Sequence, residues 1–92
     1  MPEVKDNTAR SRFELTAGDD IAIAVYEKRG DVLAFVHTEV PDDERGEGVG
    51  DHLVGGALKI VRQRGEKIVP ACEFVQAYFK RHPETRDLVA SE

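Results

Sequence analysis

The chain has 92 residues, 40 % of them hydrophobic and 34 % charged, with 18 acidic against 13 basic side chains and a formal net charge of −5. That length is one domain, burying roughly 60–65 % of the surface it exposes when unfolded, and the composition excludes a disordered chain. The acidic balance argues against nucleic-acid and anionic-lipid binding, which need a basic face, and suits a cationic substrate such as an amine.

A polar, aperiodic stretch over residues 1–11 predicts a mobile tail. From Arg12 the pattern changes. Phe13 and Leu15 alternate with charged neighbours, as in a half-buried strand. Ala17, Gly18, Asp19 and Asp20 form a turn signal. Residues 21–27 read as a second strand and residues 28–31, with Gly30, as another tight turn. Residues 32–40 are the strongest strand in the chain, and their apolar run predicts that both faces are covered. Three strands joined by short turns predict an antiparallel meander.

Pro41 ends the third strand. Residues 51–64 then read as a helix, with Leu53, Val54, Ala57, Leu58 and Val61 on one stripe. Gly55 and Gly56 each lower helix propensity by up to about 1 kcal/mol, which suggests close packing of this helix on the sheet. Gly65 is placed to end it in a left-handed conformation. Residues 67–72 form a short strand that pairs parallel to the third by a right-handed crossover. Pro70 has no N–H, so this pairing fails near it. Residues 74–81 are a second helix, stopped by His82 and Pro83. Leu88 and Val89 dock weakly from the tail. The fold class is α/β with a mixed sheet, over a domain spanning residues 12–89.

Cys72 is the one cysteine, so no intramolecular disulfide forms and a reducing cytoplasm is the expected setting. His37, His52 and His82 are too scattered for a metal site. No apolar run serves as a signal peptide or membrane span. A monomer or weak dimer is expected.

The chemistry gathers in the loop before the first helix, where Arg45, Gly46, Glu47, Gly48, Val49 and Gly50 follow a strand and open a helix. Glycine lets a ligand approach the backbone. A helix start offers unpaired N–H groups and the positive end of the dipole. Together these favour a phosphate or pyrophosphate, with Arg45 as a fixed positive charge. A Walker loop needs Lys and Ser or Thr where Asp51 and His52 stand, and a dinucleotide fingerprint needs G-x-G-x-x-G where this chain has G-x-G-x-G.

Arg45, Gly48 and Gly50 fill the three defined positions of Q/R-x-x-G-x-G/A, the acyl-coenzyme A motif of the GNAT acetyltransferase superfamily. Around it stand His37-Thr38-Glu39-Val40-Pro41, then Arg45-Gly46-x-Gly48, Pro70-x-Cys72, Tyr78 and His82-Pro83-Glu84. With this ordered set the chain resembles the compact GNAT-like proteins. The resemblance implies acetyl-coenzyme A as cofactor. It implies that the backbone of Thr38, Glu39 and Val40 holds the pantetheine arm in a gap between splayed strands. It also implies that amides from Arg45 to Gly50 bind the pyrophosphate. The implied activity is transfer of an acetyl group to an amine. The acceptor half is shortened relative to a full-length GNAT, and Tyr78 is followed by His82-Pro83 instead of Gly-Phe. A non-catalytic acyl-coenzyme A-binding module is therefore the alternative, and a purely structural interaction domain a third reading.

Three catalytic candidates follow. Cys72, at the end of the parallel strand, is either an acetyl-accepting nucleophile, a pocket lining or a core residue. His37 and Glu39 share a strand face roughly 7 Å apart, and either is a candidate base. Strand register decides whether His37 reaches Cys72. Tyr78 either protonates a leaving thiolate, as the resemblance suggests, or packs against core or cofactor. Lys80 and Arg81 read as a solvated helix face, with contact to the 3′-phosphate of coenzyme A as the functional alternative.

Overall fold

Two hairpins start the sheet, and their turns follow from glycine. In the computed structural model, which describes residues 3–41 and 48–90, β1 spans Lys5–Asn7, β2 Arg12–Ala17, β3 Asp20–Arg29 and β4 Val32–Glu39. Ala17 pairs with Asp20 and Arg29 with Val32, leaving two-residue turns that begin at Gly18 and Gly30. Both glycines have positive φ, 62° and 63°, which matches the twist of a tight hairpin. Helix α1 spans Val49–Arg64, β5 Lys67–Pro70 and α2 Glu73–Arg81. The sheet runs in the order β1-β2-β3-β4-β5, antiparallel throughout except for the parallel β4–β5 pair. This is the expected meander, crossover helix and parallel strand, extended by one strand at the N-terminal edge.

One face of the sheet carries the core. Phe13, Leu15, Ala22, Ala24, Tyr26, Leu33, Phe35 and Ile68 pack there against Leu53, Val54, Ala57, Leu58 and Val61 of α1 and Val75, Tyr78 and Phe79 of α2. Burying each large aliphatic or aromatic side chain contributes about 1.5–3 kcal/mol. The other face is open: Ile21 is 50 % and Val36 38 % exposed. The expected double cover of β4 therefore holds only for Leu33, Ala34 and Phe35, which are buried in succession. The physical reason is a bulge. Tyr26 pairs with Phe35 but Val25 pairs with His37, so Val36 has no partner and the strand turns over.

The N-terminal segment is not a tail. β1 pairs with β2, and the Asp6 side chain is only 4 % exposed. Tyr26 Oη donates to Asp6 Oδ1 at 2.6 Å and Arg64 Nη1 to Oδ2 at 2.7 Å. Both carboxylate oxygens are thus satisfied by elements far away in sequence. Ahead of β1, Val4 lies on α1, where a Cβ at Gly56 would stand 2.4 Å from Val4 Cγ2. Gly56 thus serves this contact rather than the sheet, and Gly55 faces the Tyr78 hydroxyl, 3.1 Å from its ideal Cβ.

Helix α1 begins at Val49, two residues before the expected start, and ends at Gly65, whose N–H bonds to the Arg62 carbonyl. The parallel strand is shorter than expected and stops at Pro70. After α2, a 3-10 turn over Pro83–Leu88 buries Leu88, and the Ala90 N–H donates to the Ile68 carbonyl at 2.8 Å. Val89 and Ala90 are thus tied to the outer edge of β5.

Burial and the Asp6 carboxylate push the Tyr26 phenol well above its ordinary value. Above pH 10.0, the ordinary tyrosine value, the unfolded chain loses this proton and the folded one keeps it, so stability falls as pH rises. Tyr26→Phe should lower stability by about 1–2 kcal/mol at neutral pH and show a shallower alkaline loss than wild type. Denaturant titrations at neutral and alkaline pH check both, and equal alkaline slopes would contradict the clamp.

Candidate cofactor site

The site forms where two parallel strands part. β4–β5 pairing runs from Val32 with Lys67 to Phe35 with Pro70 and stops. Pro70 has no N–H to continue the ladder, and the Ala71 N–H turns back to the Val69 carbonyl at 3.0 Å. β4 continues to Glu39, so its backbone beyond Phe35 has no β5 residue beside it. Past the Val36 bulge, Thr38 pairs with the buried Ala24 while His37 pairs with Val25 and Glu39 with Ile23. Cross-strand partners share a face. The bulge therefore aims Thr38 toward the helices and His37 and Glu39 toward the open face.

A cleft of about 520 Å³ lies on the helix side of this gap. Thr38 and Val40 line it from β4, Gly48, Gly50 and Asp51 from the start of α1, and Phe74 and Arg81 from α2. The first helical bond runs from His52 N–H to the Gly48 carbonyl, so the amides of Val49, Gly50 and Asp51 have no acceptor inside the helix. Gly48 caps the helix at φ 74°, a left-handed conformation, and a Cβ there would meet nothing within 4 Å. Gly50 is different. A Cβ at this residue would stand 2.2 Å from Phe74 Cζ, so the aromatic ring seats directly on the first turn of α1. Across the mouth, Arg81 Nη2 donates to Asp51 Oδ1.

Arg45, Gly46 and Glu47 lie outside the described residues. Of the other residues expected to hold a cofactor, Thr38, Val40, Gly48 and Gly50 meet at the cleft. The side chain of Val49 turns into the core, while its amide belongs to the open first turn. The side chain of Glu39 lies on the open face and is 3.1 Å from His37 Nε2. Cys72 caps α2, half-buried, with Sγ 3.6 Å from Thr38 Oγ1. Its strand neighbour is therefore Thr38 and not His37. Tyr78 lies between the helices, stacked on His82 with ring centroids 4.3 Å apart. Burial first, then the charges of Asp51 and Glu84, push its phenol up. Among the described lining of the cleft Tyr78 does not appear.

Phe74 and Asp51 carry no site signal of their own in the sequence. Phe74 reads there as one more apolar residue of an amphipathic helix, and nothing local joins Asp51 to Arg81. The one available signal is Gly50, a glycine in a helix start with no turn to explain it. Among the described residues no cluster of three metal-ligating side chains forms, and no helix is long and apolar enough to cross a membrane.

Acetyl-coenzyme A fits the donor set. The open amides and dipole of α1 suit its phosphates, the unpaired backbone of β4 suits the amides of pantetheine, and the apolar wall of Val40 and Phe74 suits its hydrocarbon.

Known proteins resemble the chain in both sequence and fold. The family described as GCN5-related N-acetyl-transferase matches residues 12–88. Protein NATD1 of Mus musculus is 35 % identical over 83 residues, covering 87 % of this chain and 76 % of its own length. Protein NATD1 of Gallus gallus is 34 % identical over 84 residues, covering 88 % and 76 %. The solution structure of a GCN5-like protein from Staphylococcus aureus superposes with a TM-score of 0.73 at 22 % identity, covering 98 % of this chain and 89 % of that one. That likeness shows the shared fold, and the sequence relationship carries the kinship: the chain belongs to the GCN5-related N-acetyltransferase family.

Proposed function

We propose that the chain binds acetyl-coenzyme A in the cleft and transfers its acetyl group to an amine. The observation that carries this reading is that two features open on one place. β5 ends at Pro70 while β4 runs on to Glu39, and the first-turn amides of α1, which have no acceptor inside the helix, face the same cleft. Bound there, the cofactor would supply an acetyl group activated as a thioester.

The chain's own residues divide the remaining work. The amides of Val49, Gly50 and Asp51 hold the pyrophosphate, joined by those of Arg45, Gly46 and Glu47. The backbone of Thr38 and Val40 holds the pantetheine arm, and Phe74 excludes water from one side. The amine arrives on the open face of the sheet. His37 and Glu39 stand there, 58 % and 63 % exposed and 3.1 Å apart. His37, beside the Glu39 carboxylate, is the side chain placed to take the proton of the amine.

A route through Cys72 needs a base beside the thiol. Its side-chain partner is a hydroxyl, Thr38 Oγ1, and His37 stands on the opposite face. The geometry thus supports direct transfer, with Cys72 lining the gap. One observation favours the second reading, a binding module without turnover. The open face bears exposed Ile21 and Val36, and no described helix encloses an acceptor there.

Gly48→Asn tests the cofactor placement, because Asn tolerates the left-handed conformation yet puts a side chain into the cleft. It should unfold at nearly the wild-type temperature and bind coenzyme A at least roughly tenfold more weakly by calorimetry. Unchanged affinity would contradict the placement. For the chemistry, Cys72→Ala should keep its rate of thiol release with an amine acceptor. Acetyl-Cys72 in a mass spectrum, together with an inactive Cys72→Ala, would establish the covalent route instead. A wild type that binds coenzyme A and acetylates no amine would favour the binding module.

A further inference from the structure

Arg81 stands on the last turn of α2 and reaches the first turn of α1, 30 residues away in sequence, where it donates to Asp51. Both side chains line the cleft, and among its described lining Arg81 is the one cation. They are 52 % and 44 % exposed, so the pair is open to solvent. Asp51 has a double character. As an acidic residue in the first turn it stabilises the helix dipole. As the neighbour of a bound phosphate it repels, because its carboxylate stands on the turn whose amides would hold the anion. Arg81 cancels that charge. The neighbouring His82 lies 3.9 Å from Asp51 Oδ2 and 3.5 Å from Glu84, between two carboxylates.

We propose that Arg81 is a pyrophosphate-binding residue of this cleft and that Asp51 is its resting partner, which the incoming phosphate displaces. The inference rests on the reading of the cleft as an acetyl-coenzyme A site. Before the ligand arrives, Asp51 occupies the guanidinium at the mouth and competes with the phosphate for it. An exposed ion pair of this kind is weak, so exchange of partner costs little. A phosphate at the α1 amides then faces the planar fork of Arg81, which binds phosphate in bidentate fashion. Asp51 is left beside the guanidinium rather than beside an unscreened anion. In a chain of net charge −5, this local cancellation lets a polyanion approach.

Calorimetric titration of coenzyme A and dephospho-coenzyme A into wild type, Arg81→Ala, Asp51→Asn and the double variant tests the assignment. Arg81→Ala should weaken both ligands by roughly ten- to a hundredfold. Asp51→Asn should tighten both by about two- to fivefold, and the double variant should recover only part of the loss. Arg81→Lys keeps the charge without the fork and should fall between wild type and Arg81→Ala. A folded Arg81→Ala protein that binds both ligands within about twofold of wild type overturns the inference alone. Full recovery in the double variant overturns the direct contact and leaves Arg81 a neutraliser. A loss confined to coenzyme A moves the contact to the 3′-phosphate and overturns the placement. A wild type that binds neither ligand removes the cofactor reading and this inference with it.

Discussion

A single missing N–H organises this molecule. Pro70 cannot extend the ladder between β4 and β5, so the parallel pair ends at Phe35 while β4 goes on. The chain leaves the sheet through Ala71 and Cys72 and enters α2 at Glu73. The gap, the position of Phe74 and the exposed backbone of β4 all follow from that exit. The Val36 bulge acts with it. By turning the strand over, it gives one strand two chemistries: Thr38 faces the cleft and His37 with Glu39 the open face. Without the bulge, the His37 side chain would point into the cleft.

The helices set the width of the cleft by contact, with glycine at the tight points. The Phe74 ring rests on Gly50 so closely that a methyl group would displace one or the other. The motif of this family admits alanine at that position; in this chain the seat of Phe74 favours glycine. At the other end of α1, Arg64 and Tyr26 grip the buried Asp6, and Val4 lies on Gly56. The helix is thus tied to the first strand and to α2, and its N-terminus is aimed by both.

Local signals made most of the elements readable before the structure. Alternation in β2, the two Gly-Asp turns and the apolar stripe of α1 are short-range patterns, and each element formed within a few residues of its expected bounds. β1 was not readable, because Lys5, Asp6 and Asn7 show no apolar period and owe their order to Tyr26 and Arg64. The bulge was not readable either, since Val36 continues an apolar run and only register reveals that it lacks a partner. For the site, glycines and Pro70 announced themselves by backbone chemistry. Phe74 and Asp51 did not, and Arg81 reads first as a solvated helix face, because their roles depend on how α2 crosses α1. The same reason separates His37 from Cys72: sequence gives the spacing along a strand, and a one-residue bulge decides the face.

The central claim is that the strand gap and the start of α1 form one cofactor cleft. Amide chemical-shift mapping by NMR, with acetyl-coenzyme A titrated into the uniformly 15N-labelled protein, tests it most directly. The account predicts the largest perturbations at residues 38–40, 48–51 and 72–74, with β1 and the turn at Gly18 unmoved. Perturbations centred on the outer side of α1 or on the open sheet face, or none at saturating ligand, would contradict it.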